Sequence, residues 1–356
     1  MKTVLLVLGT RPEAMKLAPV YHALKEAGSF RPLICCTGQH KALAREVLDL
    51  LRVPVELDLD LPSPSPQKLI SGILAALPPV LDALSPDAVL VQGDTASAYG
   101  AAVAAFHAGI PLGHVEAGLR TGDRSNPFPE EFYRESIALM ARWHFAPTRT
   151  AADNLRKEGH TGIYLTGNTG IDALGLTLRE AFSHPILDWA AGKKLVLLTA
   201  HRRESWGQPL ANAFRSIRRW VEQQPEVYLL FPIHPNPVLQ ELARAELGGH
   251  ERIWLRGPLD AVTFQNLLRR AYLVLTDSGG VQEEAAALGV PALVLREKTE
   301  RAEAIQAGAA VLCGLEEEAL FQQLTRMSQA EFPRRGQDLF GDGQAAKRIA
   351  RILEEL

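Results

Sequence analysis

Residues Gly113 to Glu135 read GHVEAGLRTGDRSNPFPEEFYRE. The apolar run Gly109 to Val115 ends at Glu116 in a polar, charge-rich loop, and a helical pattern starts near Glu130. An apolar strand that opens at its carboxyl end into a loop and then a helix is the repeating unit of open parallel sheets. That loop is where such sheets carry their chemistry. Glu130 and Arg134 are four residues apart, so a helix puts them on one face. A solvated loop with a surface ion pair fits the same letters; recurrence of like inserts at other strand ends favours a site.

Working outward, short runs rich in Val, Leu and Ile recur at Thr3 to Leu8, Leu33 to Cys36, Ala88 to Val91, Pro111 to Val115, Leu195 to Thr199, Val227 to Pro232, Tyr272 to Leu275 and Ala292 to Leu295. Each ends at a polar or glycine-containing turn and is followed by a helical pattern, which predicts α/β architecture with parallel sheets covered on both faces. The series pauses between Gly162 and Lys194 and restarts at Leu195. Two doubly wound, Rossmann-like domains facing a cleft are therefore expected, residues 1–167 and 168–343, with a last helix over 344–356. A chain of 356 residues with 47% hydrophobic content has material for two cores.

Composition also excludes. A net charge of −3 gives no reason to expect a nucleic-acid partner. The three cysteines, Cys35, Cys36 and Cys313, are odd in number and lack CxxC spacing, so neither a disulfide framework nor a zinc site is indicated, and a reducing cytoplasm is expected. The N-terminal run ends at Gly9 without a cleavage signature and reads as the first strand. Ala96 to Gly113 is uncharged, but Tyr99, His107, Gly109 and Pro111 interrupt it, so a buried helix and a strand are expected there and no membrane span.

In GTRPEAMKLAP, Gly9 to Pro19, Pro12 suits a first helical turn, which puts Arg11 at the helix entrance and Lys16 about a turn later. Both can face an anion at that N-terminus, and a capped helix with solvated charges is the competing reading. Asp94 of QGDT follows the run Ala88 to Val91, where helix capping by Asp94 or Thr95 competes with a site role. In TAHRRES, Thr199 to Ser205, His201 leaves a strand end beside arginines, which suits proton transfer or phosphate contact; His234 in FPIHPNP is a weaker parallel. The clearest phosphate signal is LTDSGGVQEEAAALG. There Ser278, Gly279 and Gly280 stand between strand and helix, with exposed backbone N–H groups for a diphosphate, and Glu284 lies one turn on, in reach of ribose hydroxyls.

Two patterns are set aside. GDGQAA, Gly341 to Ala346, has the letters of a dinucleotide fingerprint but no preceding strand. Asp58 and Asp60 alternate with Leu57, Leu59 and Leu61 and read as an edge strand rather than a metal-binding pair. No cluster has metal-ligand spacing, and no cofactor fingerprint is present.

Taken together, GTRPEAMKLAP, TGQH, QGDT, HVEAGLRTG with PEE, TAHRRES, PIHPNP and SGGVQEEAAALGVPALVLREKTER resemble the bacterial non-hydrolysing UDP-N-acetylglucosamine 2-epimerases, in order and over nearly the whole chain. The resemblance implies the two-domain GT-B fold, with the last helix crossing back to the N-terminal domain, and a homodimer. It implies interconversion of UDP-GlcNAc and UDP-ManNAc through elimination of UDP, with Asp94, Glu116, Glu130, Arg134 and His201 at catalytic positions. The nucleotide then falls to Ser278, Gly279, Gly280 and Glu284, with Phe264 near the base and Arg11, Lys16 and His234 as further contacts. Gln39 and His40 match an allosteric site of the family, whereas Ala42 stands where a glutamine is common and Gly72 where an arginine is expected. Ala302 replaces a proline usual after the TER triplet. A GT-B glycosyltransferase, or an epimerase of a more heavily modified UDP-sugar, is the alternative reading.

Overall fold

The computed structural model describes residues 1–202, 206–299, 301–329 and 336–355. Arg203, Glu204 and Ser205 of the TAHRRES motif, Glu300 of TER and the terminal Leu356 lie outside the described residues. The chain forms two compact units, Met1–Leu176 with Gly341–Leu356, and Thr177–Phe340.

The first unit holds a parallel seven-stranded sheet in the order β3-β2-β1-β4-β5-β6-β7. Its strands are β1 (Lys2–Leu8), β2 (Phe30–Cys36), β3 (Leu57–Asp58), β4 (Ala88–Gln92), β5 (Leu112–Val115), β6 (Trp143–Ala146) and β7 (Ile163–Leu165). The helices between them are α1 (Arg11–Ala27), α2 (Lys41–Leu50), α3 (Pro66–Leu84), α4 (Ala96–His107), α5 (Glu130–Met140) and α6 (Arg149–Lys157), followed by α7 (Thr169–Thr177). Strand β1 shows why its sequence is apolar without a break. Val4, Leu6 and Leu8 join a core with Leu17, Leu24, Val47 and Leu48 of α1 and α2. Leu5 and Val7 face the opposite side, against Leu69, Ile73 and Leu77 of α3 and the alanines of α4. Period-two alternation thus feeds two cores at once, and every position must be apolar.

In the second unit the elements are α8 (Pro185–Trp189), β8 (Lys194–Thr199), α9 (Gln208–Gln223), β9 (Val227–Pro232), α10 (Pro237–Leu247), β10 (Ile253–Arg256), α11 (Ala261–Arg270), β11 (Leu273–Thr276), α12 (Gly279–Ala287), β12 (Ala292–Val294), α13 (Ala302–Gln306), β13 (Ala310–Leu312) and α14 (Glu317–Gln329). The sheet is parallel, six-stranded, in the order β10-β9-β8-β11-β12-β13. The last helix, α15 (Ala345–Leu353), belongs to the first unit: Ile349 and Leu353 sit in the core of α1 and β1. Asp172 of α7 accepts the N–H groups of Ala345 and Ala346, so this helix starts against residues that follow Gly167. That anchoring is why the first unit runs on to Leu176 instead of ending at Gly167.

Two expectations resolve here. Ala96 to Gly113 is a buried helix and a strand, α4 and β5. Among the described residues the helix with the length and composition to cross a bilayer is instead α3, which contains Pro78 and Pro79 and buries Leu69, Ile73, Leu77 and Leu81. Asp58 does lie on an edge strand, held by Lys41 (3.3 Å) and Arg45 (2.6 Å), so its charge is met by side chains.

Candidate active site

In each sheet the strand order reverses beside the first strand of its unit, between β1 and β4 and between β8 and β11. Carboxyl ends at such a switch point splay apart and leave room for a ligand. Arg11, Asp94, His201 and Ser278 to Gly280 follow these four ends, and Glu116 follows the neighbouring β5.

In the first unit, the loop after β1 is closed by a reciprocal cap. Thr10 is the N-cap of α1, and the carboxylate of the fully buried Glu13 accepts from Gly9 N (3.0 Å), Thr10 N (2.7 Å) and Thr10 Oγ1 (2.7 Å). Capping, not an open anion site, is therefore what α1 shows, and Arg11 stands exposed at its first position. The other Glu13 oxygen accepts from Thr95 Oγ1 at 2.6 Å. Burial pushes the Glu13 carboxyl above its usual range, against the pull of the Thr95, Thr10 and Gly9 donors. Thr95 also caps α4 through Ala98 N (3.0 Å), which settles the competition at QGDT: the threonine caps and Asp94 is left for other work.

Asp94 accepts from Arg134 Nε at 2.8 Å, and Arg134 Nη1 reaches Glu131 at 2.8 Å. Arg134 is thus drawn to Asp94 and to Glu131, three residues away, whereas Glu130 stands half-buried at the first position of α5. Glu131 is fully buried and takes the N–H groups of Thr121 (2.7 Å) and Gly122 (2.9 Å), tying the loop after β5 to α5.

Glu116 follows β5 with φ +66°, a left-handed conformation that costs a non-glycine residue roughly 1–2 kcal/mol. Its carboxylate contacts Lys16 Nζ at 2.5 Å and accepts from the side-chain amide of the buried Gln92. The ring of His114 bonds the carbonyl of Gly93 at 2.8 Å. Burial depresses the His114 imidazole to about 3, so it is neutral and its bond to Gly93 is an N–H donated to the turn before Asp94. The ends of β4 and β5 are therefore stitched together, and two carboxylates, each beside a cation, stand past neighbouring strand ends.

Gln39 lies further along the same surface, its amide oxygen accepting from Ser97 Oγ at 2.8 Å. His40 is exposed as the N-cap of α2, with its N–H on the carbonyl of Gly9 (2.7 Å). Gly9 has no room for a side chain: a Cβ there collides with Thr37 and Ser97. Gly72 faces Leu61, whose side chain lies 3.4 Å from where a Cβ would stand.

In the second unit, Ser278 is the N-cap of α12 without a side-chain cap, so the first-turn N–H groups of that helix are not consumed by it. The two glycines differ. A Cβ on Gly279 meets the Arg301 guanidinium at 3.1 Å, whereas a Cβ on Gly280 has nothing within 4 Å. Gly279 thus makes space for Arg301, which pairs with the buried Glu283 at 2.7 Å, and Gly280 is open to a ligand. Glu284 accepts from Gln265 Nε2 (3.0 Å), so α11, which carries Phe264, and α12 meet at this end. His201 leaves β8 against Asp277, which leaves β11, with Nδ1 2.8 Å from Oδ1. His234 is exposed and accepts from Asn236 N at 3.3 Å, a local turn before α10.

Sequence reasoning passed over Glu13, Gln92, Glu131 and Asp277, all buried and all bonded to a predicted site residue or its turn. Gln92 and Asp277 carried a signal: Gln92 directly follows the run Ala88 to Val91, and Asp277 lies two residues past the run Tyr272 to Leu275. Among the described residues no group of histidine, cysteine, aspartate and glutamate side chains forms a metal cluster.

A family model described as UDP-N-acetylglucosamine 2-epimerase matches residues 22–354. The chain is 42% identical over 367 residues to the UDP-N-acetylglucosamine 2-epimerase of Bacillus subtilis, covering 99% of this chain and 94% of that one. Among solved structures it is similar to UDP-GlcNAc 2-epimerase from Neisseria meningitidis bound to UDP-GlcNAc, with TM-score 0.91 and 36% identity over 99% of this chain and 100% of that one. It is also similar to the Methanocaldococcus jannaschii enzyme in complex with UDP-GlcNAc and UDP, with TM-score 0.86 and 32% identity over 100% of both chains.

Proposed function

Because the chain belongs to the UDP-N-acetylglucosamine 2-epimerase family and has its GT-B fold of two Rossmann-like domains, we propose that it interconverts UDP-GlcNAc and UDP-ManNAc by eliminating and readding UDP. The C2 hydrogen has no carbonyl beside it, so direct deprotonation is poor. When the C1–O bond breaks, its electron pair leaves with the diphosphate oxygen and C1 becomes electron-deficient. Loss of the C2 proton to a base then forms the C1=C2 bond of 2-acetamidoglucal. Protonation of C2 on the opposite face and return of the UDP oxygen to C1 complete the inversion.

The observation that carries this reading is the pair of carboxylates on the ends of β4 and β5, Asp94 with Arg134 and Glu116 with Lys16. Removal and return of the C2 proton need acid/base groups, and these two side chains supply carboxylates at adjacent strand ends. Glu116 or Asp94 serves one face of C2 and Glu130 the other. The uncapped start of α12, with Gly280, holds the diphosphate, and Arg134 and His201 steady it. The decisive experiment is NMR of UDP-GlcNAc incubated with the purified protein in D₂O without acceptor. Label at C2 together with UDP-ManNAc is expected; release of free sugar, or no label, overturns the reading, and a glycosyltransferase leaves C2 unlabelled.

The product supplies ManNAc units for surface polysaccharide. Free, buried or half-buried Cys35, Cys36 and Cys313 suit a reducing cytoplasm. The chain pairs with a second copy, a reading supported by Leu74 of α3, Phe106 of α4, and Phe132 and Leu139 of α5, which are large, apolar and exposed on neighbouring helices. Light scattering that finds a monomer at micromolar concentration overturns that part.

A further inference from the structure

Asp277 is 2% exposed, and its oxygens are divided between two tasks. Oδ2 accepts the backbone N–H of His201 (2.8 Å) and of Arg202 (2.9 Å), which fixes the loop after β8 to the end of β11. Oδ1 has no aligned donor among the described residues, yet it lies 2.8 Å from His201 Nδ1. A buried carboxylate oxygen left without an aligned donor is costly, so it demands a hydrogen, and the imidazole is placed to give it. Burial opposes ionisation of Asp277, but the His201 ring and the N–H groups of Arg202 and His201 outweigh it and hold the carboxyl below its usual range. An ionised carboxylate only accepts, so Nδ1 must carry the hydrogen.

We propose that Asp277 is a positioning residue that holds His201 with its hydrogen on Nδ1, leaving Nε2 as the atom that exchanges a proton with the substrate's diphosphate. This rests on the epimerase reading above. As the C1–O bond breaks, the departing phosphate oxygen keeps the electron pair and receives the Nε2 proton of the imidazolium; on readdition the proton returns to Nε2. Without Asp277 the neutral ring is free to adopt the other tautomer, which puts its hydrogen on Nε2 and leaves nothing to stabilise the charged form.

The test uses the full chain labelled with ¹⁵N-histidine, its ring tautomers read by long-range ¹H–¹⁵N correlation at about pH 9, where imidazoles are neutral. The His201 signal is identified by its loss in His201→Gln. The wild type is expected to show Nδ1–H with a bare Nε2. In Asp277→Asn the amide oxygen takes the two backbone N–H groups and the NH₂ meets Nδ1, so the ring should switch to Nε2–H. A carboxylate-to-amide change of this kind can cost as much as about 10⁴-fold in rate. A loss of at least roughly 10-fold in kcat, with little change in KM, is expected. A wild-type His201 in the Nε2–H form overturns the proposal and needs no variant to be folded. An Asp277→Asn protein with unchanged tautomer and unchanged kcat also overturns it. An Nδ1–H signal in a protein that incorporates no deuterium at C2 supports the Asp277–His201 pairing and overturns the epimerase reading instead.

Discussion

Replacing Glu13 by alanine removes a fully buried carboxylate on which two loops converge, because Gly9 N and Thr10 N end on one oxygen and Thr95 Oγ1 on the other. Each stranded backbone donor costs about 1–3 kcal/mol, and the lost side-chain volume adds to that, for a total of roughly 3–6 kcal/mol. A domain of this size responds with about 2–4 °C per kcal/mol, so a fall in melting temperature on the order of 10 °C is expected. Glu13→Gln separates charge from shape. Its amide oxygen replaces the acceptor for Gly9 and Thr10, and its NH₂ meets Thr95 Oγ1, which turns to accept, so the cost is about 1 kcal/mol or less. The two proteins must also differ with pH. The folded carboxyl is raised by burial, so its contribution to stability is fully present below the unfolded carboxylate's range and is lost as pH rises through the folded value. The glutamine has no such loss and should gain on wild type as pH rises above the ordinary carboxylate range. Calorimetric melts at several pH values read both effects. Glu13→Ala melting within a degree of wild type, or a Glu13→Gln difference that runs the other way with pH, would refute this account of the cap.

Three further expectations follow from the site. Glu116→Gln should lower kcat and C2 deuterium uptake together by roughly 10²- to 10⁴-fold, the usual worth of an acid/base group; unchanged exchange removes Glu116 from the chemistry. Gly280→Ala, with open space around its Cβ, should melt like wild type and bind UDP more weakly, whereas Gly279→Ala presses on Arg301 and should lower stability first; calorimetric titration and melts distinguish them. Burial pushes the thiols of Cys35, Cys36 and Cys313 up to about 12. A disulfide reagent at about pH 8 should therefore find them unreactive until denaturant is added.

How far the fold could be read before any coordinates depended on burial. Strands packed on both faces, such as β1 and β4, announce themselves by unbroken Val and Leu, and the alternation with helices fixes a parallel sheet. Short strands were harder. β6 is Trp-His-Phe-Ala and β7 is a half-exposed edge of three residues, so neither has the apolar run that marks a central strand. The candidate site was legible as positions but not as partners. QGDT, HVE and SGG each sit at a strand end, where a parallel sheet leaves its chemistry, yet nothing local says that Arg134 turns to Asp94 and Glu131 and not to Glu130.

The sequence by itself determined the class of architecture, the division into two units and the strand ends at which polar residues gather, because periodicity and turn chemistry act over a few neighbouring residues. Only the tertiary structure decided which charges meet: Lys16 with Glu116, Arg134 with Asp94, His201 with Asp277. Those residues are far apart along the chain, and they are brought within hydrogen-bond distance by sheet order, where burial makes an unmet charge too costly to keep.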